Sequence, residues 1–300
     1  MYVVAGVTGN TGSVVAKQLL ALGKKVRGIG RTEQRLQPFV QKGGEPFVAD
    51  LTDKDALAEA FAGAEGVYVM IPPNPSAHDF REHQHQVAEA IASALERSNV
   101  KHVVSLSSIG ADKEEGTGPV TGLHRMEQRL ERIPGLNVLH LRAGYFMENT
   151  LIQAGIIDAL GVCSGPLLPE LKIPMIATAD IGAAAAEHLL KLDFNSHVTL
   201  ELQGPRDLSM SEAVSIIGKV IGKPDLKYDH APDDQVSDAM REMGMSPDLV
   251  EQMLEMAKAM NSGHMKALEP RSARNMTPTS YETFVEREFV PRYKGILRAA

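Results

Sequence analysis

Short apolar runs alternate with segments whose apolar residues recur every three or four places through the first half of this chain. Tyr2-Val3-Val4-Ala5 breaks at a glycine-rich stretch, and Val15, Leu19 and Leu22 follow at helical spacing. The first pattern reads as a buried strand and the second as an amphipathic helix. The alternation continues with strands expected over 25–29, 45–49, 67–71, 102–107 and 138–141. Helices are expected over 33–40, 77–97 and 123–132. One more follows position 52, with Thr52 as its cap and Asp55 closing a capping box. The strands lack strict in–out alternation, which points to a parallel sheet covered by helices on both faces. The expected fold is therefore a doubly wound parallel α/β sheet.

Beyond Asn149 the rhythm loosens. A helix over 151–160 leads into a loop rich in Gly and Pro over 161–174. An Ala-rich helix over 180–190 and a strand over 198–202 come next. Ser209 and Glu212 form a capping box for a helix to about position 220, and Ser246-Pro247 starts one ending near Asn261. The expected division is a first domain of residues 1–150, rejoined by 175–202. A smaller mixed α/β C-terminal lobe takes 151–174 and 203–300. A lobe so placed roofs the crevice at the carboxyl ends of the strands.

Gly6-Val7-Thr8-Gly9-Asn10-Thr11-Gly12 lies between the first strand and its helix. Gly6 permits the tight turn, Gly9 lets backbone approach a pyrophosphate, and Gly12 removes the side chain where helix and strand pack closest. The residue ending the second strand meets the adenosine ribose, and an NAD site places an acid there. Here the position is Arg31, with Arg35 one helical turn on. Two guanidiniums suit a 2'-phosphate, and arginine at a helix N-terminus otherwise opposes the dipole, so NADP(H) is expected rather than NAD. Asp50-Leu51 can edge the adenine, and Ile71-Pro72 can wall the cofactor. Ser107 and Ser108 fall at the level of the nicotinamide, or serve only as turn hydroxyls.

Composition narrows the picture. Net charge of −7, with no basic block, argues against nucleic-acid binding. Hydrophobic residues at 43% supply a substantial core, and Cys163 as the single cysteine excludes a disulfide or cysteine-based zinc site. No apolar stretch is long enough to span a membrane. The chain opens on a core strand rather than a leader, so the cytoplasm is expected. His78, His83 and His85 crowd one helix start without an acidic ligand at metal spacing and read as solvent-facing; no metal is expected. The methionines from Met240 to Met265 read as packing for the smaller lobe.

Together with Arg31, Ala49-Asp50-Leu51, Ser107-Ser108-Ile109-Gly110, the stretch from Leu141 to Asn149 and Asp180-Ile181-Gly182, the glycine turn resembles the NmrA-like family. This is an atypical branch of the short-chain dehydrogenases/reductases. The resemblance implies an extended Rossmann domain, NADP(H) in the crevice and a small C-terminal lobe. It implies that Gly6 to Gly12 hold the pyrophosphate, that Arg31 holds the 2'-phosphate, and that Phe146 and Asn149 line the nicotinamide pocket. Members include quinone reductases and redox sensors that bind the nucleotide without turning it over.

The helix that carries Tyr-x-x-x-Lys in short-chain dehydrogenases reads Pro119-Val120-Thr121-Gly122-Leu123-His124-Arg125-Met126-Glu127. It has neither tyrosine nor lysine, and Leu123 falls where many relatives carry the lysine. His124 and Tyr145 are the candidate proton donors. A quinone is electron-poor enough to accept hydride with the proton drawn from solvent. The expected function is NADPH-dependent hydride transfer to a small electrophilic acceptor such as a quinone, by a monomer or homodimer. The alternative is a nucleotide-sensing regulator with a protein partner.

Overall fold

The computed structural model describes residues 1–299, with side chains through Leu297. The first half forms β1 (Tyr2–Ala5), α1 (Asn10–Ala21), β2 (Val26–Gly30), α2 (Glu33–Val40), β3 (Glu45–Val48) and α3 (Lys54–Phe61). It continues with β4 (Gly66–Val69), α4 (Phe80–Ser98), β5 (His102–Ser108), α5 (Val120–Glu131) and β6 (Asn137–Ala143). Next come β7 (Tyr145–Phe146), a 3-10 turn (Met147–Ile152), α6 (Gln153–Leu160), β8 (Cys163–Gly165), β9 (Ile173–Ile176), α7 (Thr178–Lys191) and β10 (His197–Leu202). The chain ends with β11 (Asp207–Leu208), α8 (Met210–Ile221), β12 (Tyr228–His230), α9 (Asp233–Glu242), α10 (Pro247–Asn261), α11 (Tyr281–Phe284), a π-helical turn (Val285–Phe289) and α12 (Val290–Ala299).

Seven strands pair in the order β10-β6-β5-β4-β1-β2-β3, every neighbour parallel. One face carries Val3, Val67, Val103 and Val138 against Leu57, Ile91 and Leu130 of α3, α4 and α5. The other carries Val4, Tyr68, Val104 and Leu139 against Leu19, Leu36 and Ile181 of α1, α2 and α7. Both faces are sealed, which is why the strands read as continuous apolar runs. The strand order reverses between β1 and β4, and the crevice opens there at the carboxyl ends.

The second half builds a smaller mixed lobe, with sheets β11-β9-β7 and β12-β8. Its core gathers Met147, Ile157, Cys163, Met175, Leu208, Ile217, Tyr281 and Phe289. Met256 and Met260 pack here, as the methionine stripe implies. Buried carboxylates tie lobe and sheet together. Asp180 of α7 accepts hydrogen bonds from the Thr279 amide and hydroxyl, at 2.9 and 2.8 Å. Glu201 of β10 accepts the Leu268 and Glu269 amides, at 2.7 and 2.8 Å.

Several boundaries differ from the sequence expectation. The cap of α3 is Asp53, whose carboxylate accepts the Asp55 and Ala56 amides at 3.1 and 3.0 Å. Thr52 is diverted: its amide and hydroxyl both donate to Asp50, at 2.9 and 2.7 Å. Helix α4 starts at Phe80, not at 77, because Asp79 accepts the Glu82 amide at 2.8 Å and fixes the first turn there. Helix α5 starts at Val120, three residues earlier than expected. The loop expected over 161–174 contains β8, which finds its partner in β12, a pairing with no local signal. No helix among the described residues is long and apolar enough to cross a membrane.

Candidate functional site

The turn after β1 is built by exclusion of side chains. Gly6 sits at φ +65, where only glycine rests without strain. A Cβ on Gly12 would lie 2.4 Å from the Gly6 carbonyl oxygen, so α1 reaches the turn only because position 12 has none. On Gly9 a Cβ would meet only that same oxygen, at 3.3 Å. Gly9 is the N-cap of α1; no side chain caps the helix and no acid sits in its first turn. Thr8, Gly9 and Asn10 are exposed. The helix thus presents free amides and the positive end of its dipole to the crevice, a fitting cradle for a phosphate. Thr11 has a different task for its side chain: it is buried, and its hydroxyl accepts from the buried Tyr68 hydroxyl at 2.7 Å.

Arg31 and Arg35 flank the N-cap Thr32 and are both exposed. Asp50, exposed after β3, has its carboxyl held below the usual range by the Thr52 hydrogen bonds, with Arg31 and His83 adding favourable charge. Leu51 is buried in the sheet core, so only its backbone can edge a ligand. Strand β4 ends at Val69 rather than 71, and Ile71 and Pro72 are half-buried in the loop beyond it. Met70 leaves the sheet there and stacks on the glycine turn, its Sδ 3.2 Å from where a Gly6 Cβ would stand. This contact has no sequence signal beyond a large residue at a strand end.

The two serines ending β5 point opposite ways. Ser107 is buried and donates to Glu127 Oε1 at 2.5 Å, while Arg142 clamps that carboxylate through both oxygens. Ser107 therefore belongs to the α5 interface rather than to a nicotinamide. Ser108 is half-buried and donates to the Ile109 carbonyl at 2.9 Å. Gly110 follows at φ +95, covered by Met265 from the lobe, whose Cγ would lie 2.5 Å from a Cβ at that position. Gly118, at φ +57, lets α10 approach so closely that a Cβ would fall 1.9 Å from the Gln252 carbonyl oxygen. The acidic loop 112–116 is thus pinned at both ends by the lobe.

His124 and Tyr145 line different spaces. The His124 Nδ1 lies 2.8 Å from the Ala111 carbonyl, which can only accept, so this nitrogen carries the proton. Its ring lines a charged surface groove with Arg81, Glu82, Glu114 and Arg129, between α4 and α5. Tyr145, half-buried in β7, packs against the lobe core, and burial pushes its hydroxyl up to about 12. Phe146 is half-buried against the sheet core, and Asn149 is exposed in the 3-10 turn. Between them Glu148 turns inward to accept the Thr178 amide and hydroxyl, at 2.9 and 2.6 Å, which fixes the start of α7. Of the three histidines read as solvent-facing, His78 and His85 are exposed but His83 is not: its Nε2 is sealed from solvent. Among the described residues no three His, Cys, Asp or Glu side chains converge as a metal site.

The model of the NmrA-like family matches residues 2–287. The chain belongs to that family. It is 25% identical, over 90% of each chain, to the (4-alkanoyl-5-oxo-2,5-dihydrofuran-3-yl)methyl phosphate reductase of Streptomyces griseus. It is 27% identical, over 97% of this chain and 96% of the relative, to the nitrogen metabolite regulation-like protein bik4 of Gibberella fujikuroi. The NADPH-dependent quinone oxidoreductase QOR2 of Escherichia coli, solved with NADPH, shares the fold. Its TM-score is 0.81 at 22% identity, covering 96% of this chain and 100% of that one. The triphenylmethane reductase of Citrobacter sp., solved with NADP(H), has a TM-score of 0.78 at 17% identity over 95% and 99%.

Proposed function

We propose that this NmrA-like protein is a cytoplasmic NADPH-dependent oxidoreductase that delivers hydride to a small electrophilic acceptor, a quinone being the leading class. The observation that carries the reading is the uncapped N-terminus of α1 behind a glycine turn whose close approach a Cβ at Gly12 would forbid. That cradle fits a pyrophosphate, and Gly6, Thr8, Gly9, Asn10, Thr11 and Gly12 would hold it mainly through backbone. Arg31 and Arg35 would take the 2'-phosphate, with Asp50, Leu51, Ile71 and Pro72 around the adenosine. Ser108, Phe146 and Asn149 would meet the nicotinamide end. Relatives of this fold solved with NADPH or NADP(H) support the nucleotide.

When bound, the reduced nicotinamide supplies the hydride. The chain's own residues would orient it and exclude water, with Met265 lying over Gly110 just beyond β5. Tyr145 and His124 are the two candidate proton donors: burial holds the Tyr145 hydroxyl in its protonated form, and the His124 ring lines the α4–α5 groove with its Nδ1 toward the Ala111 carbonyl. Without a lysine to lower a tyrosine pKa, a quinone or similarly activated acceptor is favoured over a plain ketone. Purified protein should bind NADPH more tightly than NADH, lose most of that difference in Arg31→Ala, and oxidise NADPH when given quinones. Equal affinities for the two nucleotides would overturn the cofactor assignment.

A second reading, a nucleotide-sensing regulator, is favoured by the fastening of loop 112–116 to the lobe through Gly110–Met265 and Gly118–Gln252. Occupancy of the crevice would then be felt by a protein partner on that surface. Intact NADPH binding with no turnover across a broad acceptor panel would select it.

A further inference from the structure

Met70 directly follows β4, at the point where the strand order reverses. Its side chain is half-buried and packs against the cores on both faces of the sheet, so it straddles the seam between them. From there the thioether reaches over the first glycine of the phosphate cradle. Its Sδ stands 3.2 Å and its Cγ 3.8 Å from where a Cβ on Gly6 would lie. Apart from the chain neighbours of Gly6, no other atom of the described residues comes within 4 Å of that point. This side of the turn is therefore open except for the methionine that overhangs it. Other methionines stand in different settings. Met126, Met147 and Met175 are sealed in the cores, where a soluble oxidant has no access, and Met243 and Met276 are exposed in the second half of the chain.

We infer that Met70 is an oxidative modification site, at which a hydroperoxide switches nucleotide binding off. The inference rests on the nucleotide-binding reading above, and it adds a regulation that reading does not contain. In the step, a lone pair of Sδ attacks the terminal oxygen of the hydroperoxide. The S–O bond forms as the O–O bond breaks, and the remaining oxygen keeps the proton and leaves as an alcohol, or as water from hydrogen peroxide. Sulfur gives up two electrons and the peroxide takes them. The product, methionine sulfoxide, is polar and chiral where the thioether was apolar. A sulfoxide is poorly matched to a seam between two apolar cores, so the group is driven out of it. Its added oxygen also enlarges the side chain that overhangs Gly6. Both effects move bulk into the space a pyrophosphate would use. By the same overlap, a bound nucleotide covers the sulfur and shields it.

The test treats the full chain with hydrogen peroxide, with and without saturating NADP, and locates sulfoxide by peptide mass spectrometry. Met70 should be oxidised in the free protein and spared when NADP is bound, while Met243 and Met276 react alike in both. Once peroxide is removed, the protein oxidised without NADP should bind NADPH about tenfold more weakly than before treatment. Methionine sulfoxide reductase with a thiol reductant should restore the affinity. Met70→Leu, compared with its own untreated state, should lose none. A Met70 left intact while Met243 and Met276 react would overturn the inference, as would an equal loss of affinity in Met70→Leu. Either result leaves the oxidoreductase reading standing. Failure of the untreated protein to bind NADPH would remove both.

Discussion

Arg142 grips Glu127 through both carboxylate oxygens, Nε to Oε1 at 3.0 Å and Nη2 to Oε2 at 2.6 Å, in a site where Glu127 is 2% exposed. The pair joins α5 to β6, and Ser107 adds a third donor from β5. Removing one partner of a buried ion pair leaves the other uncompensated and costs about 3–5 kcal/mol, whereas an apolar replacement of both is close to neutral. Arg142→Met is therefore expected to lower unfolding stability by about that amount. The double variant Arg142→Met with Glu127→Leu should recover much of it, with Ser107 left to find another acceptor. Urea unfolding of the three variants measures the coupling.

Gly9 and Gly12 separate folding from binding. A methyl at position 12 is driven 2.4 Å from the Gly6 carbonyl, so Gly12→Ala must shift backbone. A stability loss of about 1–3 kcal/mol is expected, together with loss of NADPH binding. Gly9→Ala meets that oxygen only at 3.3 Å and otherwise faces the open crevice. It should fold near normally while its methyl obstructs the pyrophosphate. Thermal unfolding alongside nucleotide titration distinguishes the two; equal stability losses would show that the turn is purely structural.

Gly118 tests the clasp between the lobe and the crevice. Alanine there meets the Gln252 carbonyl oxygen at 1.9 Å and is strained by its φ of +57. Helix α10 can no longer seat, although it still holds α4 through Asp248, which accepts the Phe80 amide at 2.7 Å. Faster proteolysis within the segment 233–268 is expected in Gly118→Ala than in the unmodified protein. Unaltered cleavage there would mean that the clasp does not hold the lobe.

Glu201 carries a pH signature. Burial raises its carboxyl above the ordinary value, against the opposing hydrogen bonds from the Glu269 and Leu268 amides. A carboxyl raised in the folded state contributes stability at low pH that is lost as pH rises through its folded pKa. Glu201→Gln keeps an acceptor for the two amides and does not titrate. The unmodified protein should therefore gain stability relative to this variant as pH is lowered from 7 to 5. Denaturant unfolding across that range gives the sign directly; a relative loss on acidification would contradict the burial argument.

Much of the large sheet was legible from the sequence because its forces are local. A run such as Val67 to Val69 can be satisfied only by a strand buried on both faces, and Ser209 with Glu212 specifies a helix start within four residues. The boundaries that moved did so where two local signals competed. Thr52 and Asp53 can each cap α3, and Asp50 decided between them by taking both Thr52 donors.

The turn from Gly6 to Gly12 was likewise readable, since three glycines between a strand and a helix have few other uses. What the sequence determined by itself was the doubly wound sheet, the phosphate cradle and the charge at Arg31. Those follow from period, backbone freedom and sign of charge within about thirty residues of chain. The tertiary structure alone decided which hydroxyls and nitrogens face the crevice. Ser107 and Thr11 are drawn away by Glu127 and Tyr68, which lie 20 and 57 residues distant in the chain. Met265 reaches Gly110, and the Nε2 of His83 is sealed from solvent, only once the strands and the lobe are assembled. A side chain's direction depends on which neighbour satisfies it, and those neighbours come together only in the folded chain.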